Sequence, residues 1–316
     1  MIGWQYGESY QLHILDKPKE MTWVEDLQRT IWSGDNTEIV PGHLMLTAVH
    51  NGGLIIGAFD LRGNNLESNL GESIEFSGES LVGFVFSFPG FQHASGKIKL
   101  KHCSHMLGVH PQHRNSGIGF ALKRAQWQMV RHLDIDWITW TYDPLLSRNA
   151  HLNIHRLGAV CNRYLPNYYG ELRDELNLGQ QTDRFQVDWW LNSARVERRL
   201  SKKPRTKLDL AHYLAANVKI LNPTHLDGEG LPQPGNLSDK RLQQSTEQDQ
   251  ILLIEIPAEF QSMQTLNQQL TRLWREHTRE IFTTLFTAGY LVTDFIHLPG
   301  SYPRSFYVLS HGESIL

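Results

Sequence analysis

Leu107-Gly-Val-His-Pro-Gln-His-Arg-Asn-Ser-Gly-Ile-Gly-Phe-Ala-Leu-Lys123 decides the fold: an apolar strand stops at a proline, and a glycine-spaced turn opens a helix. The first N–H groups of a helix have no internal acceptor, and the aligned peptide dipoles put partial positive charge there, so such an end attracts phosphate. Gly117 and Gly119 lack a β-carbon, which lets a phosphorylated ligand approach the main chain and lets either residue take positive φ. Arg114 adds fixed charge at the rim. Beyond the turn, Ile118, Ala121, Leu122, Ala125, Met129, Val130 and Leu133 recur at helical spacing. They predict a helix over about Ser116 to Leu133, anchored by one apolar stripe.

Upstream, Ile98 to Val109 reads as the strand that closes an antiparallel set. The set comprises Tyr10–Leu15, a hairpin of Leu44–Val49 and Leu54–Phe59 around Asn51-Gly52-Gly53, and Leu81–Phe86. A helix is expected from Glu20 to Trp32 with Met21, Val24, Leu27, Ile31 and Trp32 inward, and an exposed loop over 61–80. Downstream of the turn, Trp137–Tyr142 is a strand stopped by Asp143-Pro144. Antiparallel strands followed by a strand-helix-strand crossover predict an α+β sheet that changes direction in its middle.

Spacing separates the phosphate-loop types. A P-loop needs Gly-x4-Gly-Lys-Ser/Thr and a dinucleotide fingerprint needs Gly-x-Gly-x-x-Gly, and the stretch matches neither. Val109-x-Pro111-x-x-Arg114-x-x-Gly117-Ile118-Gly119 instead resembles the acyl-CoA pyrophosphate loop of the GNAT N-acetyltransferase superfamily. The resemblance implies a mixed, mostly antiparallel sheet flanked by helices, in which two neighbouring strands splay to admit pantetheine. It implies acetyl-CoA, or another acyl-CoA, as cofactor. The edges of Leu107, Gly108 and Val109 would bond pantetheine, and amides from Arg114, Asn115, Ser116, Gly117, Ile118 and Gly119 would hold the pyrophosphate. An amine of a small-molecule or peptide acceptor would attack the thioester directly, with Val109 N–H facing the developing oxyanion. Candidate bases are Glu72, Glu75, Glu79, His105 and Asp143.

Ser147 to Ala159 resembles the second helix of that superfamily, which makes Asn149 a cofactor ligand. The sequence departs from the pattern: Asn149 stands nine residues before Gly158 where about eleven are usual, and Ile154 occupies the expected tyrosine position. The general acid therefore does not carry over, and His151, His155, Cys161 and Tyr164 are the replacements at hand. Residues 100–196 resemble a longer, poorly characterised subgroup of predicted acetyltransferases. In the aromatic and polar stretch that follows, Tyr168, Asp174, Asp183 and Arg184 either line an acceptor pocket or form a loop pinned by Asx turns and an ion pair. Two other functions share these features: a non-catalytic CoA-binding module with a regulatory or assembly extension, and transfer of a larger acyl group to a non-amine nucleophile.

Residues 201–250 are rich in Pro, Gly, Gln and Asp and read as a long connection interrupted by a short helix at Leu208–Ala216. Order resumes with a strand at Ile251–Ile256, a helix from about Ser262 to Ala288 stopped by Gly289, and a hairpin of Tyr290–Ile296 with Ser305–Leu309. The expected organisation is a GNAT-like domain over 1–196, a linker over 197–250, and a strand-helix-hairpin subdomain over 251–316 packed on the first, without a second CoA site. Composition bounds the rest: 316 residues, 40% hydrophobic and 20% charged with net charge -3, argue for a globular protein with no nucleic-acid footprint. Two cysteines, no signal-like start and no run of about 18 apolar residues argue for a cytoplasmic protein with no membrane association and no disulfide framework. A homo-oligomer fits as well as a monomer. Sixteen histidines raise a metal site, but His102 and His105 have opposite strand parity, and the His151/His155 pair lacks an accompanying Glu, so none is expected.

Overall fold

A computed structural model describes residues 3–7, 9–32, 39–62, 76–94, 96–170, 181–201 and 208–311. The chain divides into two compact units, the first running to Trp140 and the second beginning at Thr141. The architecture is the α+β class expected.

In the first unit the strands are β1 (Gly3–Tyr6), β2 (Tyr10–Ile14), β3 (Leu54–Asp60), β4 (Leu81–Ala94), β5 (Lys97–Val109) and β6 (Trp137–Tyr142), ordered along the sheet as they occur in the chain. All pairs are antiparallel except β5 with β6, which are parallel. The change of direction comes from the crossover helix α3 (Ile118–Arg131). Helix α1 (Pro18–Ile31) starts where Pro18 follows an extended Lys17, and the Glu20 carboxylate accepts from the Asp16 and Lys17 N–H groups at 2.8 and 2.9 Å. It packs Met21, Val24 and Leu27 against Ile55, Phe59, Phe84 and Phe86 of the sheet. The other face is covered by α3, where a Cβ on Gly83 would press on Ile118 and touch Leu122.

Leu44–Val49, expected as a strand, lies in helix α2 (Gly42–His50). The cause is tertiary. Buried Gln28 brackets Val40 through both its N–H and C=O, and the Glu25 carboxylate accepts from Gly42 N–H, which sets the helix start. Met45 is buried while Leu44 is half exposed, the single-face burial of a helix; a short apolar run has no period that separates the two. The Asn51-Gly52-Gly53 turn therefore joins a helix to β3, with Gly52 at φ 86°.

The second unit holds α4 (Ser147–Ala150), continued by a π-helical turn over His151–Arg156, then β7 (Val160–Leu165), β8 (Arg184–Trp190) and α5 (Ala194–Leu200). The stretch expected as a linker contains α6 (Leu210–Ala215), β9 (Lys219–Ile220), a small hairpin of β10 (His225–Leu226) with β11 (Pro232–Gln233), and α7 (Asp239–Gln248). After β12 (Ile251–Pro257), the single helix expected over 262–288 is two, α8 (Phe260–Leu266) and α9 (Gln268–Thr287). They part at Asn267, whose side chain accepts from Leu270 N–H at 2.9 Å and caps α9. β13 (Tyr290–Leu298) and β14 (Arg304–His311) close the chain.

Strand order in this unit is β8-β7-β13-β14-β12-β9. β7 pairs with β8 on one side and meets β13 at Val292↔Cys161 on the other. Strands from before residue 196 and after residue 251 thus share one sheet. Phe185, Phe282 and Tyr307 pack edge-on with ring centroids 4.7–5.4 Å apart at its core.

Candidate functional site

The site begins where β5 and β6 stop pairing. Their register covers His102↔Ile138 and Cys103↔Thr139, while β5 continues to Val109. Two residues past the last of these pairs β5 carries a bulge: Phe86 pairs with Met106 and Ser87 with Ser104, which leaves His105 as the extra residue. A bulge bends its strand and increases the local twist, which turns β5 away beyond the last pair with β6. His110 N–H bonds Val82 O at 2.8 Å toward β4. Successive N–H groups alternate between the two edges of a strand, so those of Val109 and Leu107 face the other edge.

Beyond Val109 the chain makes one short 3-10 turn, Pro111–His113, started by His110, whose ring nitrogen accepts from Gln112 N–H. His113 fastens this turn to the sheet. Its Nδ1 lies 3.3 Å from Tyr10 Oη and 3.4 Å from an Arg62 nitrogen, and Arg62 is itself paired with Asp60 at 2.7 Å. Burial and the neighbouring Arg62 lower the His113 pKa. Asn115 and Gly117 have φ 67° and 86°, and Ser116 Oγ donates to His113 O at 2.6 Å. Left-handed positions of this kind curl successive N–H groups into an anion-binding concavity. Gly117 is the N-cap of α3, Arg114 is exposed beside it, and a Cβ on Gly117 would overlap the Tyr6 hydroxyl.

Helix α3 buries Ile118, Ala121, Leu122, Ala125 and Val130 as expected, whereas Leu133 is exposed past the helix end. It also buries Lys123 and Gln126, which the apolar reading of the stripe missed. Gly119, Lys123, Gln126 and Val130 follow one another at helical spacing, so the signal was present.

Among the candidate bases, His105 reaches solvent from the bulge with its ring near Phe86 and Phe88, at 5.9 and 6.0 Å between centroids. Desolvation by that packing lowers its pKa, which favours the neutral imidazole that a base requires. Glu79 is exposed and, with Trp23, Asp26, Phe76 and His110, lines an open cavity of about 830 Å³. Glu72, Glu75 and Asp174 lie outside the described residues.

The remaining candidates belong to the second unit. Asp143 is buried and paired through both oxygens with Arg275 at 2.6 and 2.8 Å, and Arg184 stands 4.0 Å away. Arg184 also lies over the Tyr169 ring and donates to Asp183 O. Asp183 is fully buried: it accepts from Tyr164 Oη at 2.6 Å, from Asn167 N–H, and from Arg279 through both its oxygens. Burial and the Asp183 carboxylate push the Tyr164 pKa up, so that phenol keeps its proton. Asp143, Tyr164, Asp183 and Arg184 therefore form one polar network, with Tyr168 exposed at its edge. His155 stands apart, bonded through Nδ1 to Asp294 at 2.9 Å and stacked on His151 at 4.9 Å. Arg199 bonds both Asp294 and the His155 carbonyl. Asn149 lies half-buried in α4, and Ile154 is fully buried. Cys161 is buried too, and burial pushes its thiol pKa up. Among the described residues no group of three or more His, Cys, Asp or Glu is placed to hold a metal, and no helix is long and apolar enough to cross a membrane.

No family model matches the chain, and no curated protein matches its sequence. Among solved structures, it is similar to Arabidopsis thaliana NAA60 in complex with acetyl-CoA, at 17% identity and a TM-score of 0.42, covering 58% of this chain and 99% of that one. It is also similar to the ribosomal-protein-S5-alanine acetyltransferase of Vibrio fischeri, at 12% identity and a TM-score of 0.42, covering 61% and 98%. A third is an aminoglycoside 6'-acetyltransferase type Ii, at 14% identity and a TM-score of 0.39, covering 58% and 97%. Another is described as a putative acetyltransferase of the GNAT family from Desulfovibrio desulfuricans, at 14% identity and a TM-score of 0.39, covering 58% and 99%.

Proposed function

We propose that the chain transfers an acyl group, in the first instance acetyl, from an acyl-CoA to an amine of a small-molecule or peptide acceptor. The observation that carries this reading is the run from the bulge at His105 through Val109 into Gly117, where a strand edge freed from β6 leads directly to a left-handed glycine capping a 14-residue helix. A main-chain edge followed by converging amides fits a ligand made of an amide-bearing arm joined to a pyrophosphate.

In this reading the N–H groups of Leu107 and Val109 face the pantetheine arm, and those of Ser116 to Gly119, with Arg114, face the phosphates. Val109 N–H is the donor assigned to the oxyanion, where a fixed dipole in a dry site lowers the barrier. The neutral acceptor amine attacks the thioester carbonyl; the C–N bond forms, the C–S bond breaks, and the thiolate leaves with a proton. His105 takes the amine proton directly or through water, which its lowered pKa permits near neutrality. The acid is left to solvent, because the position that carries tyrosine in the resembled pattern holds the buried Ile154.

That same residue favours a second reading, a module that binds CoA without turnover. Calorimetric titration with CoA and acetyl-CoA, followed by thiol release in the presence of amines, separates the two. Micromolar binding with thiol release supports the transferase, and His105→Gln should then lower kcat by about 100-fold while leaving CoA affinity unchanged. Binding without release from any donor leaves the module. No binding at all would overturn both.

A further inference from the structure

The first residues past the last β5–β6 pair are Ser104 and Trp140, and one side chain joins them. Lys123 of α3 is 1% exposed. Its Nζ donates to Ser104 Oγ at 2.9 Å and to Gln126 Oε1 at 2.9 Å, and stands 3.7 Å from the centroid of the Trp140 ring. Gln126 closes the group by donating from Nε2 to Ser104 Oγ at 3.2 Å. A buried amine therefore sits where the strands part, bonded to the β5 side and resting on the aromatic face of the β6 side.

Stability alone does not account for a lysine here. Burial pushes its pKa well below the ordinary lysine value, a direct sign of what desolvation costs. An apolar side chain of similar length would fill the volume without that cost, and such replacements are often neutral or stabilising. What an apolar chain lacks is direction. The amine is held at hydrogen-bond distance from Ser104 and at cation–π distance from Trp140, so it sets the separation of the two strands at this level.

We infer that Lys123 is a positioning residue for the proposed transfer, a wedge that keeps β5 and β6 from pairing past Cys103↔Thr139 and so leaves the Leu107–Val109 edge free. The inference rests on the proposed function, because that reading supplies the use of the free edge. The lysine touches no reacting atom. It acts through the position of the β5 main chain.

The test is Lys123→Met, with Ser104→Ala as a milder variant that removes the β5 contact and leaves Lys123 bonded to Gln126. Hydrogen exchange of the ligand-free full chain reports the Leu107 and Val109 amides without reference to any cofactor. Loss of the wedge should let the strands zip further and slow exchange there by at least about tenfold, while the melting temperature changes by only a few degrees. CoA affinity should weaken by about tenfold or more, in KM for the donor and not for the acceptor. Ser104→Ala should move exchange and affinity in the same directions by less, and it carries the test if the methionine variant does not fold. Wild-type-like exchange and CoA affinity in the variants would overturn the inference while leaving the transferase reading intact. A wild-type protein that does not bind CoA would overturn the transferase reading, whatever the exchange shows.

Discussion

Gly117→Ala tests the loop at its most constrained residue. Gly117 has φ 86°, a region that costs an L-residue about 1–2 kcal/mol. The added Cβ would also overlap the Tyr6 hydroxyl, while the next ring atoms, Cζ and Cε1, lie at 3.4 and 3.6 Å, ordinary contact distances. Moving the phenol off its rotamer adds about 1 kcal/mol. The single variant should therefore lose roughly 2–3 kcal/mol of local stability. In a Tyr6→Phe background the overlapping atom is gone and only the left-handed cost remains, so the cycle should show a coupling of about 1 kcal/mol. Hydrogen exchange of the α3 amides against urea reads the loss in the unit that contains the loop. The same strain opposes the curl that receives phosphate, so CoA affinity should fall about 5–30-fold for 1–2 kcal/mol. Equal stability of Gly117→Ala in both backgrounds would refute the geometry, and unchanged CoA affinity would place the ligand elsewhere.

Two further outcomes concern the second unit. Burial acts to raise the Asp294 pKa, but the bonds from His155 and the charge of Arg199 outweigh it and hold the carboxyl at about 2. A depressed carboxylate pKa stabilises the fold above the unfolded value of about 3.9 and loses that contribution as pH falls toward 2, so Asp294→Asn should cost about 2–3 kcal/mol at pH 7. Urea titrations should show the difference shrink from about pH 5 downward and vanish only near pH 1, and a pH-independent difference would contradict the assignment. Arg275→Met leaves the buried Asp143 without its bidentate partner and should cost about 3–5 kcal/mol in denaturant unfolding. Adding Asp143→Leu should recover most of that loss, and a double variant as weak as the single would show that the pair is not what destabilises it.

By itself the sequence determined the features whose cause is local. The α3 stripe, the proline and glycine punctuation of the loop and the glycine stop at Gly289 were legible because helix periodicity and backbone freedom are written in residue types at fixed spacing. The α+β class followed from the order of those elements. Tertiary structure decided what depends on partners distant in the chain. Leu44–Val49 is helical because Gln28 and Glu25 hold its start, a fact no window of six residues contains. The single helix expected over 262–288 breaks at Asn267, where side-chain capping outweighs a periodic apolar pattern. Asp143, Tyr164, Asp183 and Arg184 become one network only when Arg275 and Arg279 arrive from α9, more than 90 positions away for Asp183 and Arg279. The end of the β5–β6 pairing among the described residues and the buried amine beside it are likewise tertiary. Where a strand stops pairing is set by a one-residue bulge and by the side chain packed into the gap, and neither leaves a mark in the order of apolar and polar residues along β5 itself.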